Sequence, residues 1–331
     1  MADVMMRYLD RRSVLAAGGG DWPRAVADIR AVLSLMSRGE AAMEPESVLP
    51  MGSDPRDKCY ALPARVGWPY HAAGLKWAIH RAKPADDLPS VSSLTLINRL
   101  ADGRPVGLVE SAFLTRMRTA AVSALAIEHL RPLPSRIGVI GAGAQAASHL
   151  DMLAALFPHV EVIRVFNRDA SSREKMLAGR ADARLRAADH LDEILGDCDV
   201  ILTCTSAAEP FLSRAGVRPG RLIVQIGFHE VEFDAIEATD VVAVDLWGEF
   251  WHSSAKSLFQ MARAGRFGGD QVAADLVDLC VRNWHPPDGA SLYFSSFGLN
   301  VFDIALAARV LAAAGDAGTG VLLPVFGTMG G

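Results

Sequence analysis

The sequence predicts an α/β protein containing a Rossmann-type, doubly wound parallel sheet, preceded by an α+β domain. Three observations lead there. The apolar strand Arg136–Ile140 runs into the turn Gly141-Ala142-Gly143-Ala144-Gln145 and then into an alanine-rich helix start. Beyond that turn, short apolar runs alternate with helical periods as far as Asp245, the pattern of parallel strands covered on both faces. Before about residue 130 the alternation is absent, and short strands with hairpin signals take its place.

In chain order, the start Met1–Arg12 is charged and has no signal-peptide apolar region, so a cytoplasmic location is expected. Asp21 is placed to cap a helix with Pro23 in its first turn. Ala25, Val26, Ile29, Val32, Leu33 and Met36 would form its apolar face. Strands are expected at Cys59–Val66 and Ala72–Ala78. A hairpin follows from Ser92–Ile97 to Val106–Glu110, turned by the Asp102-Gly103 pair. An alanine-rich helix then begins around Arg118.

The glycine turn is a pyrophosphate site by construction. Gly141 allows the sharp turn, Gly143 lets the backbone approach phosphates, and Ala146 permits close packing of helix on strand. Free N–H groups at the helix start would face the anion. A helix over about Ala144–Phe157 leads to the strand Val160–Phe166, which ends at Asn167-Arg168. A Rossmann fold reads the ribose 2′ position there. An acid would reject a 2′-phosphate. Asn167 and Arg168, with Ser171, Ser172 and Arg173 behind them, tolerate one, so the expected cofactor is NAD or NADP. A helix from Ala170, a strand near Ala183–Ala187, a helix near Leu191 and strands at Asp199–Thr203, Arg221–Ile226 and Val241–Asp245 complete the alternation. Ligands gather at the carboxyl ends of such strands, which singles out Thr205-Ser206, the stretch Gly227-Phe228-His229-Glu230, and Asp245.

Composition limits the alternatives. With 331 residues and 50% hydrophobic content, two buried cores are expected. A net charge of -5 with interspersed signs offers nothing to nucleic acid, and no apolar run is long enough to span a bilayer. Cys59, Cys198, Cys204 and Cys280 lack metal or disulfide spacing, and the histidines form no ligand pattern, so no metal site is expected. The glycine-rich tail Gly315–Gly331 is expected to be loosely ordered at its very end.

Two cations stand out in the first domain. Lys76 lies in the otherwise apolar strand Gly74–Ile79, and Arg118 in Leu114–Ala121. Such charges need a partner. A small carboxylate substrate would supply one, and Arg grips carboxylates bidentately. The alternative is that Lys76 snorkels and Arg118 pairs with Glu110.

Taken together, Gly74-Leu75-Lys76, the hairpin end Asp102–Pro105, Leu114-Thr115 with Arg118–Ala121, and Gly141–Gln145 resemble the ornithine cyclodeaminase/mu-crystallin family, over about Met6–Ala314. The resemblance implies that residues 1–130 and 298–331 form one substrate-binding and dimerisation domain, with the helix Gly298–Ala314 as its return. The Rossmann domain, residues 131–297, would be inserted between them. It also implies a homodimer and a small amino-acid substrate whose carboxylate is held by Lys76 and Arg118.

Two departures narrow the subfamily. Cyclodeaminases of this family carry an Asp in an Asp-x-x-Gly-Lys-x-Glu-Leu context after the fifth strand. Here Gly227–Asp234 is shorter and lacks the Gly-Lys pair, which argues against ornithine cyclisation. Met43-Glu44-Pro45-Glu46-Ser47 stands where the family usually has a further carboxylate-binding Arg, a role Arg65 is a candidate to fill. The shortened loop, Tyr60–Gly67 and Tyr293–Leu299 are similar to the branch that forms 2,3-diaminopropionate for siderophores and antibiotics. That branch oxidises the secondary amine of N-(2-amino-2-carboxyethyl)-L-glutamate with NAD and lets water split the imine. His229 or Glu230 is the candidate base at the strand end, with Lys76 as an alternative proton shuttle. Two other readings remain: an imine or ketimine reductase or cyclodeaminase-like enzyme, and a mu-crystallin-like nucleotide-dependent binding protein.

Overall fold

The computed structural model describes residues 4–54, 56–248, 252 and 254–326. The chain divides into two compact units, residues 1–118 with 299–331, and residues 119–298. The first cut falls inside the continuous helix Ala112–Leu130, earlier than the expected boundary at 130.

The first unit is built on β1 (Val4–Leu9), β2 (Ala41–Met43), β3 (Ser47–Pro50), β4 (Lys58–Val66), β5 (Ala72–His80), β6 (Val91–Arg99), β7 (Pro105–Glu110) and a C-terminal strand, Val321–Phe326. The order is C-terminal strand–β1–β7–β6–β5–β4–β2, with β3 also on β4. All neighbours are antiparallel except β1 with β7. Neither β1 nor the C-terminal strand was expected. Residues 321–326 of the glycine-rich tail are paired, and its very end, where loose order was expected, falls on residues 327–331, outside the described residues. Both strands are short edge-side pieces, and their partner is at the other end of the chain.

Helix Trp22–Ser37 starts as its sequence dictates, with Asp21 Oδ1 accepting from Arg24 N at 3.0 Å. Ala25, Ile29, Val32 and Leu33 are buried, while Val26 and Met36 are only part-buried. Asp28 and Leu35 are buried instead. Asp28 is compensated by the Tyr70 hydroxyl at 2.8 Å and by Arg309. Helix Asn300–Asp316 lies on the sheet with Val301, Phe302, Ile304, Ala305 and Leu311 buried. Gly74 on the strand beneath it has no room for a Cβ, which would stand 2.6 Å from the Leu96 carbonyl oxygen and 2.8 Å from Ile304 Cδ1.

The second unit holds β8 (Arg136–Ile140), β9 (Val162–Phe166), β10 (Leu185–Ala187), β11 (Val200–Thr203), β12 (Leu222–Gln225), β13 (Val241–Val244) and β14 (Leu292–Ser295). All pairs are parallel, in the order β10–β9–β8–β11–β12–β14–β13. β11 to β14 are buried throughout, as central parallel strands must be. β14 was missed because its four residues follow a long stretch without clear periodicity, yet it pairs between β12 and β13. Among the described residues, no helix is long and apolar enough to cross a membrane.

Candidate active site

In the first unit, cross-strand register gathers the polar groups. Leu62 pairs with Lys76 and Lys76 with Thr95; Lys58 pairs with His80, and Ala78 with Tyr60 and Ser93. Alternation therefore puts Lys58, Tyr60, Lys76, His80, Ser93 and Thr95 on one face. Thr95 donates to Ser111 Oγ at 2.8 Å, and Ser111 to Ser93 Oγ at 3.1 Å.

At the centre of this face Lys76 Nζ donates to Asp303 Oδ2 at 2.7 Å. Thr115 Oγ1 donates to Asp303 Oδ1 at 2.8 Å, and Arg118 Nε lies 3.2 Å from Oδ2. Thr115 and Arg118 reach the same carboxylate because residues three apart share a helix face. The side chains of Lys76, Asp303 and Arg118 are 4%, 0% and 8% exposed. Burial pushes the Lys76 ammonium below its ordinary range, Asp303 opposes this, and the Arg118 charge adds to it. Burial alone would raise Asp303, but Arg118 and Lys76 together hold its carboxyl below the usual range. Two cations thus share one carboxylate, and Arg118 Nε has no hydrogen-bond partner. A buried excess of positive charge with spare donors suits a carboxylate ligand.

Three expectations change here. Lys76 does not snorkel, since its amine is buried. Arg118 pairs with Asp303 rather than Glu110, whose carboxylate accepts from Ala112 N at 3.0 Å at the start of the helix. Arg65 does not replace the missing arginine. It pairs with Ala73, on the opposite face from Lys76, and it donates to the Gly39 carbonyl at 3.1 Å. Asp303 itself was overlooked, although a single acid in the apolar run Val301–Ala308 is a signal that a cation must meet it.

In the second unit, Gly141 has φ 122° and a Cβ there would lie 2.5 Å from the Cys204 carbonyl oxygen, so the turn requires glycine. Gly143 caps helix Ala144–Leu156 without any side-chain hydrogen bond, and the space a Cβ would enter is open. Ala142 is half-buried, Ala144 is exposed, and Ala146 is fully buried against the sheet. Gln145 Oε1 is buried without a hydrogen-bond partner. Free helix N–H groups beside an open glycine fit the pyrophosphate of a dinucleotide.

At the end of β9, Asn167 Nδ2 donates to the Asp169 carbonyl at 2.9 Å, and Arg168 is exposed. Asp169 is committed to capping the next helix, accepting from Ser171 N and Ser172 N, both at 3.2 Å. Arg173 is no part of a 2′ site: it is buried, bonded to the Ala188 carbonyl and 3.0 Å from Asp189. Ser206, after β11, is exposed.

Glu230, the other candidate base, is built into the scaffold. It is 0% exposed and accepts from Thr203 Oγ1 at 2.6 Å, Thr205 N at 2.6 Å and Thr205 Oγ1 at 2.7 Å. With three of its roughly four lone-pair sites engaged, it braces the loop after β11. Asp245 is likewise committed, accepting from Phe297 N at 2.9 Å and Gly298 N at 2.6 Å. Lys256, which the sequence reading missed, donates to the Gly227 carbonyl at 2.9 Å.

His229 remains available. Its Nδ1 lies 3.1 Å from Ser257 Oγ, which already accepts from Gln225 Nε2 at 2.9 Å and from Glu230 N and Val231 N at 3.1 Å. Ser257 Oγ is thus the hydrogen-bond partner of Nδ1, and the ring's Nε2 has no hydrogen bond to a described residue.

Among the described residues no cluster of His, Cys, Asp and Glu is arranged to hold a metal ion.

The sequence model of the ornithine cyclodeaminase/mu-crystallin family matches residues 23–316. N-((2S)-2-amino-2-carboxyethyl)-L-glutamate dehydrogenase of Staphylococcus aureus is 23% identical over 314 residues, 91% of this chain and 93% of that protein. The NAD(P)H-dependent anabolic L-arginine dehydrogenase of Pseudomonas aeruginosa is 30% identical over 66% of this chain and 71% of its own. Among solved structures, the Δ1-pyrroline-2-carboxylate reductase of Thermococcus litoralis, in complex with NADH and L-proline, superposes with TM-score 0.87 at 20% identity. It covers 96% of this chain and 99% of that one.

Proposed function

Because the chain belongs to the ornithine cyclodeaminase/mu-crystallin family, we propose that it is an NAD(P)-dependent oxidoreductase acting on the secondary amine of N-(2-amino-2-carboxyethyl)-L-glutamate. The Cα–H of the glutamate moiety leaves as hydride and the amine N–H as a proton, giving an imine. Water adds to the imine carbon and the C–N bond breaks, yielding 2-oxoglutarate and 2,3-diaminopropionate, a building block for siderophores or antibiotics.

The observation that carries this reading is the buried Lys76–Asp303–Arg118 cluster, in which two cations share one carboxylate. Arg118 and Lys76 hold the substrate carboxylate and thereby fix the direction of the Cα–H bond. Asp303 keeps both cations in place. The nicotinamide, when bound, supplies the hydride acceptor, and Gly141, Gly143, Thr205 and Gly227 line its dinucleotide site with Ala142, Ala144, Gln145 and Ser206 beside them. His229 is the base this reading assigns to the amine proton. The relative from Staphylococcus aureus, similar over nearly the whole chain, bears the name of this activity.

Both coenzymes are accommodated by Asn167 and Arg168. The exposed Arg168 favours a 2′-phosphate, and that observation supports a second reading, an NADPH-linked reductase of cyclic imino acids. A homodimer formed through the sheet of the first unit belongs to the same proposal. On the face away from Lys76, Trp77 and Leu94 are 44% and 39% exposed.

Incubation with N-(2-amino-2-carboxyethyl)-L-glutamate and either oxidised coenzyme, followed by mass spectrometry, tests the reading. Equal amounts of 2-oxoglutarate, 2,3-diaminopropionate and reduced coenzyme are expected. Unchanged substrate together with reduction of a cyclic imine would favour the second reading.

A further inference from the structure

The segment that stands in place of the family's further arginine is a β-bulge carrying an acid. Met43 pairs with Ala64 and Ser47 with Ala61, so Glu44, Pro45 and Glu46 span the stretch opposite only Leu62 and Pro63. One surplus residue re-aims the side chains that follow it. The bulge is pinned by Glu44 N donating to the Pro63 carbonyl at 3.3 Å, and the same carbonyl accepts from Asn300 Nδ2 at 2.8 Å. Pro45 has no N–H to add to the ladder. Glu46 is thereby held beside Leu62, whose partner on the other side is Lys76.

Glu46 is half-buried, and its carboxylate makes no hydrogen bond or ion pair with any described residue. Burial pushes its carboxyl above the usual range, while the charges of Lys76 and Lys58 pull it back down. The other groups facing it are accounted for. Burial and the Glu46 charge push the Tyr60 phenol up to about 12, and burial with Lys76 and Lys58 pushes the His80 imidazole down. Tyr60 and His80 lie against each other, ring centroids 4.9 Å apart. The face therefore carries positive charge at Arg118, Lys76 and Lys58 and, at Glu46, one carboxylate with no hydrogen-bond donor among the described residues. A carboxylate placed by the backbone, partly buried and without a direct hydrogen bond, has acceptor sites to offer a cationic group.

We propose that Glu46 receives a second ammonium group of the substrate, and so selects diamino acids over monoamino acids of the same size. The inference rests on the reading that Lys76 and Arg118 take the substrate carboxylate. It goes beyond it by giving the bulge a substrate contact of its own.

The test uses two isosteric probes, L-2,3-diaminopropionate and L-2-aminobutyrate, titrated calorimetrically into coenzyme-loaded protein. Wild type is expected to bind the diamino probe at least about tenfold tighter, the size of a charge-assisted hydrogen bond. Glu46→Gln is expected to bring the two within about twofold while leaving L-2-aminobutyrate binding unchanged, and Glu46→Asp to retain part of the preference. A preference that survives in Glu46→Gln, or none in wild type, would overturn the proposal. The two hypotheses fail separately. Absence of oxidation of N-(2-amino-2-carboxyethyl)-L-glutamate, with the probe preference intact, counts against the reaction and not against Glu46.

Discussion

Lys76 and Asp303 meet at 2.7 Å although 227 residues separate them in the chain. The contact ties a central strand of the first unit's sheet to the last long helix, and Arg118 closes on the same carboxylate. Such a cluster is expensive to bury, and hydrophobic residues of similar volume would serve stability as well or better. A carboxylate ligand would give the cluster a use that stability alone does not.

Asp303→Asn leaves two buried cations without their shared partner. Removing one member of a buried ion cluster typically costs about 3–5 kcal/mol, and urea denaturation of the variant should show a loss of that size. A loss of less than about 1 kcal/mol would mean that the cations are solvated and the cluster is not charged as described.

His149 gives the second unit a pH dependence of known sign. It is fully buried, with Nδ1 donating to the Gln145 carbonyl at 2.8 Å and Nε2 facing Ser123 Oγ at 2.9 Å. Burial pushes its imidazole down to about 4. The unfolded chain takes up the proton first, so the stability from a neutral His149 is fully present above about pH 6.5 and is lost as pH falls towards 4. Its full size is about 3 kcal/mol. Stability from denaturation midpoints should fall across that window as pH is lowered, and His149→Asn should remove this part of the fall.

Glu230→Gln separates a scaffold from a catalytic base. The amide nitrogen would face donors from Thr203 and Thr205, costing about 1–3 kcal/mol of stability and loosening the loop. Weaker coenzyme binding is expected, measured by fluorescence titration. Normal coenzyme affinity and stability with abolished turnover would instead make Glu230 the proton acceptor.

Arg168→Glu should weaken NADPH binding about tenfold or more and leave NADH binding nearly unchanged, since a carboxylate repels a 2′-phosphate and accepts from a 2′-hydroxyl. Equal effects on both coenzymes would remove Arg168 from the ribose site.

The glycine turn and most parallel strands were legible in the sequence because each is a local pattern: period, turn chemistry and a small residue at a fixed offset. Lys76 and Arg118 were legible for the same reason, as charges out of place in apolar runs. What sequence reading missed is long-range. Asp303 finds its cations only once helix Asn300–Asp316 lies on β4 and β5. β1 is recognisable only by its pairing with β7 and the C-terminal strand, and the C-terminal strand only by its pairing with β1. Arg65 looked like a spare carboxylate ligand until register fixed its face. Glu230 and Asp245 look catalytic by position, and only their hydrogen bonds reveal them as structural.

The central claim is that Arg118 and Lys76 hold the substrate carboxylate, and the most direct measurement is calorimetric titration of the coenzyme-loaded protein with N-(2-amino-2-carboxyethyl)-L-glutamate, wild type against Arg118→Ala. The account predicts a loss of about a hundredfold in affinity for the amino acid and little change for the coenzyme. Equal affinity of the two proteins for the amino acid would contradict it.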